Sequence, residues 1–175
     1  MSSTSRIAAS PVISDEEIRI LWAKVHRDGI KEVLFYDAEI DTEEDFFKLI
    51  ESPYGHFYSI TVDGEIAGMF WLNGWEGYAA RVHYCFFREY YRRCMEIASE
   101  GLRHIFSMNR QDGTPYVKTL YGVTPVTNRL SIKFLQKCGF TVIGEVPDVC
   151  FIKRENASVA GVVSYITKEM ADGRG

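Results

Sequence analysis

Asn128-Arg129-Leu130-Ser131-Ile132-Lys133-Phe134-Leu135-Gln136-Lys137-Cys138-Gly139-Phe140 carries its own start and stop signals. The spacing predicts a helix over Thr127–Cys138 and a strand over Phe140–Val146. Asn128, placed shortly after Pro125, can cap the start of the helix, and Gly139 sits where a left-handed cap closes one. On the N-terminal side, Leu120–Thr124 reads as a short strand entering that helix, and Gly161–Thr167 supplies a last strand downstream. Further upstream a helical stretch spans Arg88–Met108, with Ile97, Leu102, Ile105 and Phe106 on its apolar side and Asn109–Gly113 ending it.

Before that helix the hydrophobic period changes from about 3.6 to 2 residues. Strand His56–Val62 turns at Asp63-Gly64 into Glu65–Leu72, and after the Gly74–Gly77 turn Tyr78–Phe87 adds a third meander strand. Two helices precede the meander. Ser14-Asp15-Glu16-Glu17 opens the first, which runs to Asp28-Gly29, and Asp41-Thr42-Glu43-Glu44 opens the second, which Pro53 and Gly55 stop. The serine-rich residues 1–10 read as a flexible tail ahead of a single domain over residues 11–170. The prediction is an α/β (α+β) fold, with a mixed, mostly antiparallel sheet of about six to seven strands flanked by about four helices. The Arg88–Met108 helix should be a right-handed crossover between two parallel strands.

The chain has 175 residues, 46% of them hydrophobic and 25% charged, with a formal net charge of −4, so one domain with a full core is expected. A pI of 5.6 argues against a nucleic-acid binder, although Tyr90 and Tyr91 lie among arginines. The opening residues lack a secretory apolar segment and no long apolar run follows, which predicts a cytoplasmic protein without a membrane partner. The four cysteines, Cys85, Cys94, Cys138 and Cys150, lack metal-ligand or disulfide spacing, so no metal is expected.

The Asn128-x-x-Ser131 pattern followed by Lys137-x-Gly139-Phe140 resembles the GNAT superfamily of acyl-CoA-dependent N-acetyltransferases, and in particular its ribosomal-protein N-terminal branch. Ala98-Ser99-Glu100-Gly101-Leu102-Arg103 is similar to a second motif of that branch, and the resemblance covers Ile66–Thr167. It implies an acyltransferase that moves an acetyl group directly from acetyl-CoA to a primary amine, on a small molecule or a protein; a homodimer is compatible with it. In the family's pyrophosphate loop a glycine stands where this chain has Glu96, and the usual acid tyrosine corresponds to Leu135. Both departures also fit a non-catalytic GNAT-like module that binds acyl-CoA or works through protein contacts.

Within this frame the cofactor-binding candidates are Phe86, Phe87, Arg88, Arg92, Arg93, Cys94, Ala98, Asn128, Ser131 and Phe134. Arg88, Arg92 and Arg93 precede a helix start, where cations are unfavourable unless an anion such as a coenzyme A phosphate joins them; three solvated arginines are the plainer alternative. His83, on one strand face with Cys85, is a candidate base, with Glu76 as its rival; a packed strand histidine is the alternative. Ser131 and Tyr121 are candidate donors to the departing sulfur. Trp71, Trp75 and Tyr78 suggest an aromatic wall for the acceptor, or core packing.

Overall fold

A computed structural model describes residues 6–12 and 14–173. Its centre is the hairpin β2 (His56–Val62) and β3 (Glu65–Glu76) with β4 (Ala79–Phe86) alongside. Asp63 (φ 53°) and Gly64 (φ 90°) both take positive φ, the turn whose twist matches the strands it joins. The remaining strands are β5 (Thr119–Pro125), β6 (Thr141–Ile152) and β7 (Ala157–Thr167). A further strand, β1 (Ile7–Pro11), pairs antiparallel with β2, Ile7 opposite Val62. Residues 7–10 are therefore edge strand and not loose tail, tied down by the ladder and by packing of Ile7 and Ala9 on the core; residues 1–5 of the expected tail lie outside the described residues. The sheet has seven strands in the order β1-β2-β3-β4-β5-β7-β6, antiparallel everywhere except between β4 and β5.

Helices cover both faces. On one lie α1 (Asp15–Arg27), the single turn α2 (Lys31–Leu34) and α3 (Glu43–Glu51), which bury Leu21, Val25, Phe35 and Phe46 against Phe57, Met69 and Trp71. α1 starts where Ser14 accepts the N–H of Glu17, and α3 has a full capping box between Thr42 and Asp45. On the other face α4 (Cys94–Ser107) and α5 (Arg129–Lys137) pack Ile97, Ile105 and Leu135 over Phe70, Leu72 and Leu120; a last turn, α6 (Lys168–Ala171), follows β7.

The crossover helix begins later than the sequence pattern suggests. Arg88–Arg93 form a 3-10 turn, because Phe87 is fully buried and the N–H of Arg88 is held by the Asp28 carboxylate at 2.6 Å, and α4 proper starts at Cys94. The β6–β7 hairpin runs longer than predicted and is bulged between Val146 and Cys150, where Asp148 has φ 56°. Gly161 makes room for that bulge, since a Cβ there would stand 2.5 Å from side-chain carbons of both Val123 and Val149.

Candidate active site

The parallel pair β4–β5 is joined only at Ala79–Thr119, Ala80–Leu120 and Arg81–Tyr121. Beyond Arg81 and Tyr121 the strands part, and a cleft of about 220 Å³ opens between Val82–Phe86 on one side and Gly122–Pro125 on the other, with Asn128 and Ser131 at its wall. Facing strand edges that have lost their partner present backbone N–H and C=O groups to whatever enters. The cleft continues between α4 and α5 along Tyr84, Phe86, Ala98, Phe134 and Cys138. On the α1–α3 side of the sheet it meets a second hollow of about 540 Å³ under α2, which shares Val33, Tyr36, Pro125 and Asn128 with it.

Most of the cofactor candidates come together here. Phe86, Asn128 and Ser131 line the cleft, Ala98 and Phe134 line its continuation, and the Phe86 and Phe134 rings meet edge-on at 5.4 Å. Asn128 is the N-cap of α5, its Oδ1 accepting the Ser131 N–H at 3.2 Å. Cys94 opens α4, and its nearness helps hold the Cys138 thiol up at about 11, after the larger effect of burial.

Four expectations need correction. Phe87 is wholly buried on the α1 side, with Lys24 over its ring and its N–H bonded to the Ala67 carbonyl, so it offers the cleft nothing. Arg88 is committed to Asp28 through its N–H and through a guanidinium bond to the Asp28 carbonyl at 3.3 Å. Burial acts to raise the Asp28 carboxyl, yet the hydrogen bonds from Arg27 and the Arg88 N–H outweigh it and hold the group below its ordinary value. Glu76 stands at the closed end, where β3 turns into β4, and Tyr121, although opposite Arg81 where the pairing stops, donates its hydroxyl to the Gly74 carbonyl at 3.0 Å, so neither lines the cleft. The aromatic wall is likewise absent from it. Trp71 is 3% exposed, sandwiched by Phe57 and His83; Trp75 packs on the opposite face against His56 and Tyr116; Tyr78 lies under Arg110 and Lys118.

The remaining arginines divide. Arg93 is paired with Glu96 at 2.9 Å, which also neutralises the carboxylate that stands in place of the family's glycine. Arg92 is exposed and has no ion-pair partner among the described residues. No side chain caps the start of α4 next to it.

His83 does line the cleft, stacked face to face on Trp71 at 4.6 Å with Nε2 3.1 Å from Asn73 Oδ1. Burial, aided by the charge of Arg81, lowers its pKa to about 3. The imidazole is neutral at physiological pH and a weak proton acceptor. Cys85 is buried, its thiol pushed up to about 12, which removes it as a nucleophile.

Two residues escape the sequence pattern, one lining the site and one at its border. Tyr36, just after α2, lines both hollows; its hydroxyl donates to the sulfur of buried Cys150 at 3.7 Å, and burial followed by that bond raises its pKa to about 12. Arg81 stands on β4 two residues before His83 and therefore on the same sheet face. A charged residue at the parity of His83 and Cys85 was the available signal for Arg81; for Tyr36 there was none beyond the apolar run Val33-Leu34-Phe35. No cluster of three or more metal-ligating side chains, and no helix long and apolar enough to cross a membrane, occurs among the described residues.

The same arrangement of sheet and helices occurs in solved acetyltransferases. The spermidine N-acetyltransferase of Vibrio cholerae, in complex with CoA and spermine, superposes with a TM-score of 0.74 at 12% identity over 94% of this chain and 97% of its own. A ribosomal L7/L12 alpha-N-protein acetyltransferase in complex with coenzyme A gives 0.72 at 15% identity, covering 95% of each chain. The Salmonella typhimurium acetyl transferase that modifies the N-terminal serine of L7/L12 gives 0.75 at 16%, over 95% of this chain and 96% of its own. At such identities the likeness concerns the fold. No curated protein sequence matches. The profile of the Acetyltransferase (GNAT) family matches residues 19–140, which include β4, α4, β5, α5 and the whole Asn128–Phe140 segment and stop just before β6. By that match, over more than half of its length, the chain belongs to the acetyltransferase (GNAT) family.

Proposed function

We propose that this protein transfers an acetyl group from acetyl-CoA directly to a primary amine. The observation that carries the reading is the parting of β4 and β5 beyond Arg81 and Tyr121, which leaves a slot between two strand edges running into the α4–α5 groove. An extended chain with amide groups, as the pantetheine arm has, matches those edges. Arg92 and the uncapped start of α4 suit its phosphates. The amine approaches from the α2 side. Its nitrogen lone pair adds to the thioester carbonyl carbon, the carbon–sulfur bond breaks, and one proton passes from nitrogen to the departing sulfur. A thioester is already activated, so the protein has to align the two groups and manage that proton.

Two neutral hydroxyls belong to residues that line the cleft. Ser131 has an Oγ without a partner among the described residues, and Tyr36, kept protonated by burial, has only a weak sulfur acceptor. Either can hydrogen-bond the departing sulfur, a role that Leu135 on α5 has no hydroxyl to fill. His83 then serves as a neutral wall residue, and the ammonium form of the acceptor loses its extra proton to solvent before the neutral amine attacks. Four free thiols fit a reducing, cytoplasmic setting. A homodimer is supported by the edge strand β6, which exposes Ile143 (67%), Val146, Val149 and Phe151.

The test is calorimetric titration with acetyl-CoA followed by a thiol-release assay against amines. Micromolar binding and amine-dependent thiol release are expected. A folded protein that binds neither acetyl-CoA nor coenzyme A would overturn the reading.

A further inference from the structure

Arg81 is the anomaly of the acceptor side. It projects from β4 on the face that carries Trp71, His83 and Cys85, at the point where β4 and β5 part. Its Nε is buried and makes no hydrogen bond, and neither a carboxylate nor an aromatic ring pairs with it among the described residues. Most of the other arginines around the site are engaged, Arg27 by the Asp28 carboxylate, Arg88 by the Asp28 carbonyl, Arg93 by Glu96 and Arg154 by Glu155, and Arg92 and Arg129, which have no ion-pair partner among the described residues, stand exposed to solvent. Arg81 stands just outside the lining of the cleft, next to Val82, and its charge is felt at His83 and Tyr36, two residues that do line it. A guanidinium has five donors and stays charged, so leaving one half-buried and unpaired is costly unless an anion arrives to meet it.

We propose that Arg81 binds a carboxylate of the acceptor, so that the amines acetylated by this enzyme are amino acids or similar carboxylated amines. The inference rests on the acetyl-transfer reading and narrows its substrate class. A planar carboxylate matches the guanidinium fork, and its single negative charge balances the single cation. A phosphate would bring a second negative charge with no cation left to meet it, and a polyamine would bring more positive charge to an unneutralised arginine.

The experiment compares amino acids with their amides and decarboxylated amines, together with phosphoethanolamine and spermidine, on the wild type, Arg81→Gln and Arg81→Lys. Wild type should favour free acids. R81Q should raise KM for acids roughly 10- to 100-fold, the range of a lost charged hydrogen-bonded pair, with little change in kcat and none in the use of amides. R81K should recover part of that loss. Equal use of acids and amides by the wild type, a preference for phosphoethanolamine or spermidine, or an equal loss on acids and amides in R81Q would each overturn the proposal. Calorimetry with acetyl-CoA on wild type and R81Q separates this from failure of acetyl transfer itself. Thermal stabilisation by N-acetyl amino acids, present in wild type and lost in R81Q, reads the carboxylate site without turnover; its absence in wild type counts against the site.

Discussion

Replacing Asn128 by alanine should divide two roles that the structure joins in one side chain. Asn128 Oδ1 takes the Ser131 N–H at 3.2 Å and is the cap of a helix whose first turn has no acidic residue and begins with Arg129. Nothing else on α5 offsets its N-terminal dipole, so the alanine variant should lose the full ~1 kcal/mol of a typical cap. For a domain of this length that corresponds to a fall in Tm of about 2–4 °C. Serine caps as well as asparagine, so Asn128→Ser should melt within about 1 °C of the wild type. Serine has no amide to reach into the slot that Asn128 lines. If the amide also holds the donor, thiol release should fall roughly tenfold or more in both variants, the equivalent of ~1.4 kcal/mol in the barrier. Circular-dichroism melts and thiol-release kinetics at a temperature well below both transitions give the two readouts. Recovery of both Tm and turnover in N128S would refute the reasoning and leave Asn128 as a cap alone.

Arg92→Ala with Arg93→Ala should weaken coenzyme A binding, and the difference from wild type should shrink as salt rises, because the contact is an exposed charge pair; calorimetry at two ionic strengths checks it, and unchanged affinity would remove the phosphate role. Tyr36→Phe should lower kcat about 10- to 100-fold while acetyl-CoA affinity stays at the wild-type value, as expected for a donor to the departing sulfur; wild-type kcat would return that role to Ser131. His83 has a folded pKa of about 3 against an ordinary 6.5. The unfolded chain therefore binds the extra proton between those values, and stability present above pH 6.5 drains away as pH falls, at ~1.4 kcal/mol per pH unit for one proton. His56 and His104 are lowered by burial too, so the share of His83 is the slope that His83→Phe removes in denaturant titrations between pH 4 and pH 6; an unaltered slope would refute its burial as a neutral ring.

Local signals in the sequence account for much of the architecture. Thr42, Asp63-Gly64 and Gly139 each specify a cap or a turn within a few residues, and all three form as read. The α5 side of the site was legible for the same reason, since Asn128, Ser131 and Phe134 lie on one helix at fixed spacing. The acceptor side was not, because it is assembled by register. Tyr36 and Cys150 are far apart in the chain and meet only through the folded sheet and the β6 bulge. Glu76 lies at the wrong end of the correct strands, and Tyr121, at the point where they part, turns its hydroxyl to Gly74, since where parallel pairing stops and which way a side chain leaves it are set by tertiary packing and not by any short pattern. β1 was hidden because five residues of edge strand look like tail, and α2 because one turn without a side-chain cap leaves no period to detect.

The open slot has a consequence for the lifetime of the protein as well as for its chemistry. Val82–Phe86 and Gly122–Thr124 each keep a partner strand on the outer side only, so the middle of the sheet contains a seam that water must hydrate whenever no ligand is present. A molecule that bonds to both lips acts as an eighth strand, and its departure exposes two interior edges at once. Amide exchange should therefore be fastest along this seam in the empty protein and slow sharply when coenzyme A is bound. The supply of that metabolite would then govern how much enzyme survives proteolysis, alongside how fast each copy works.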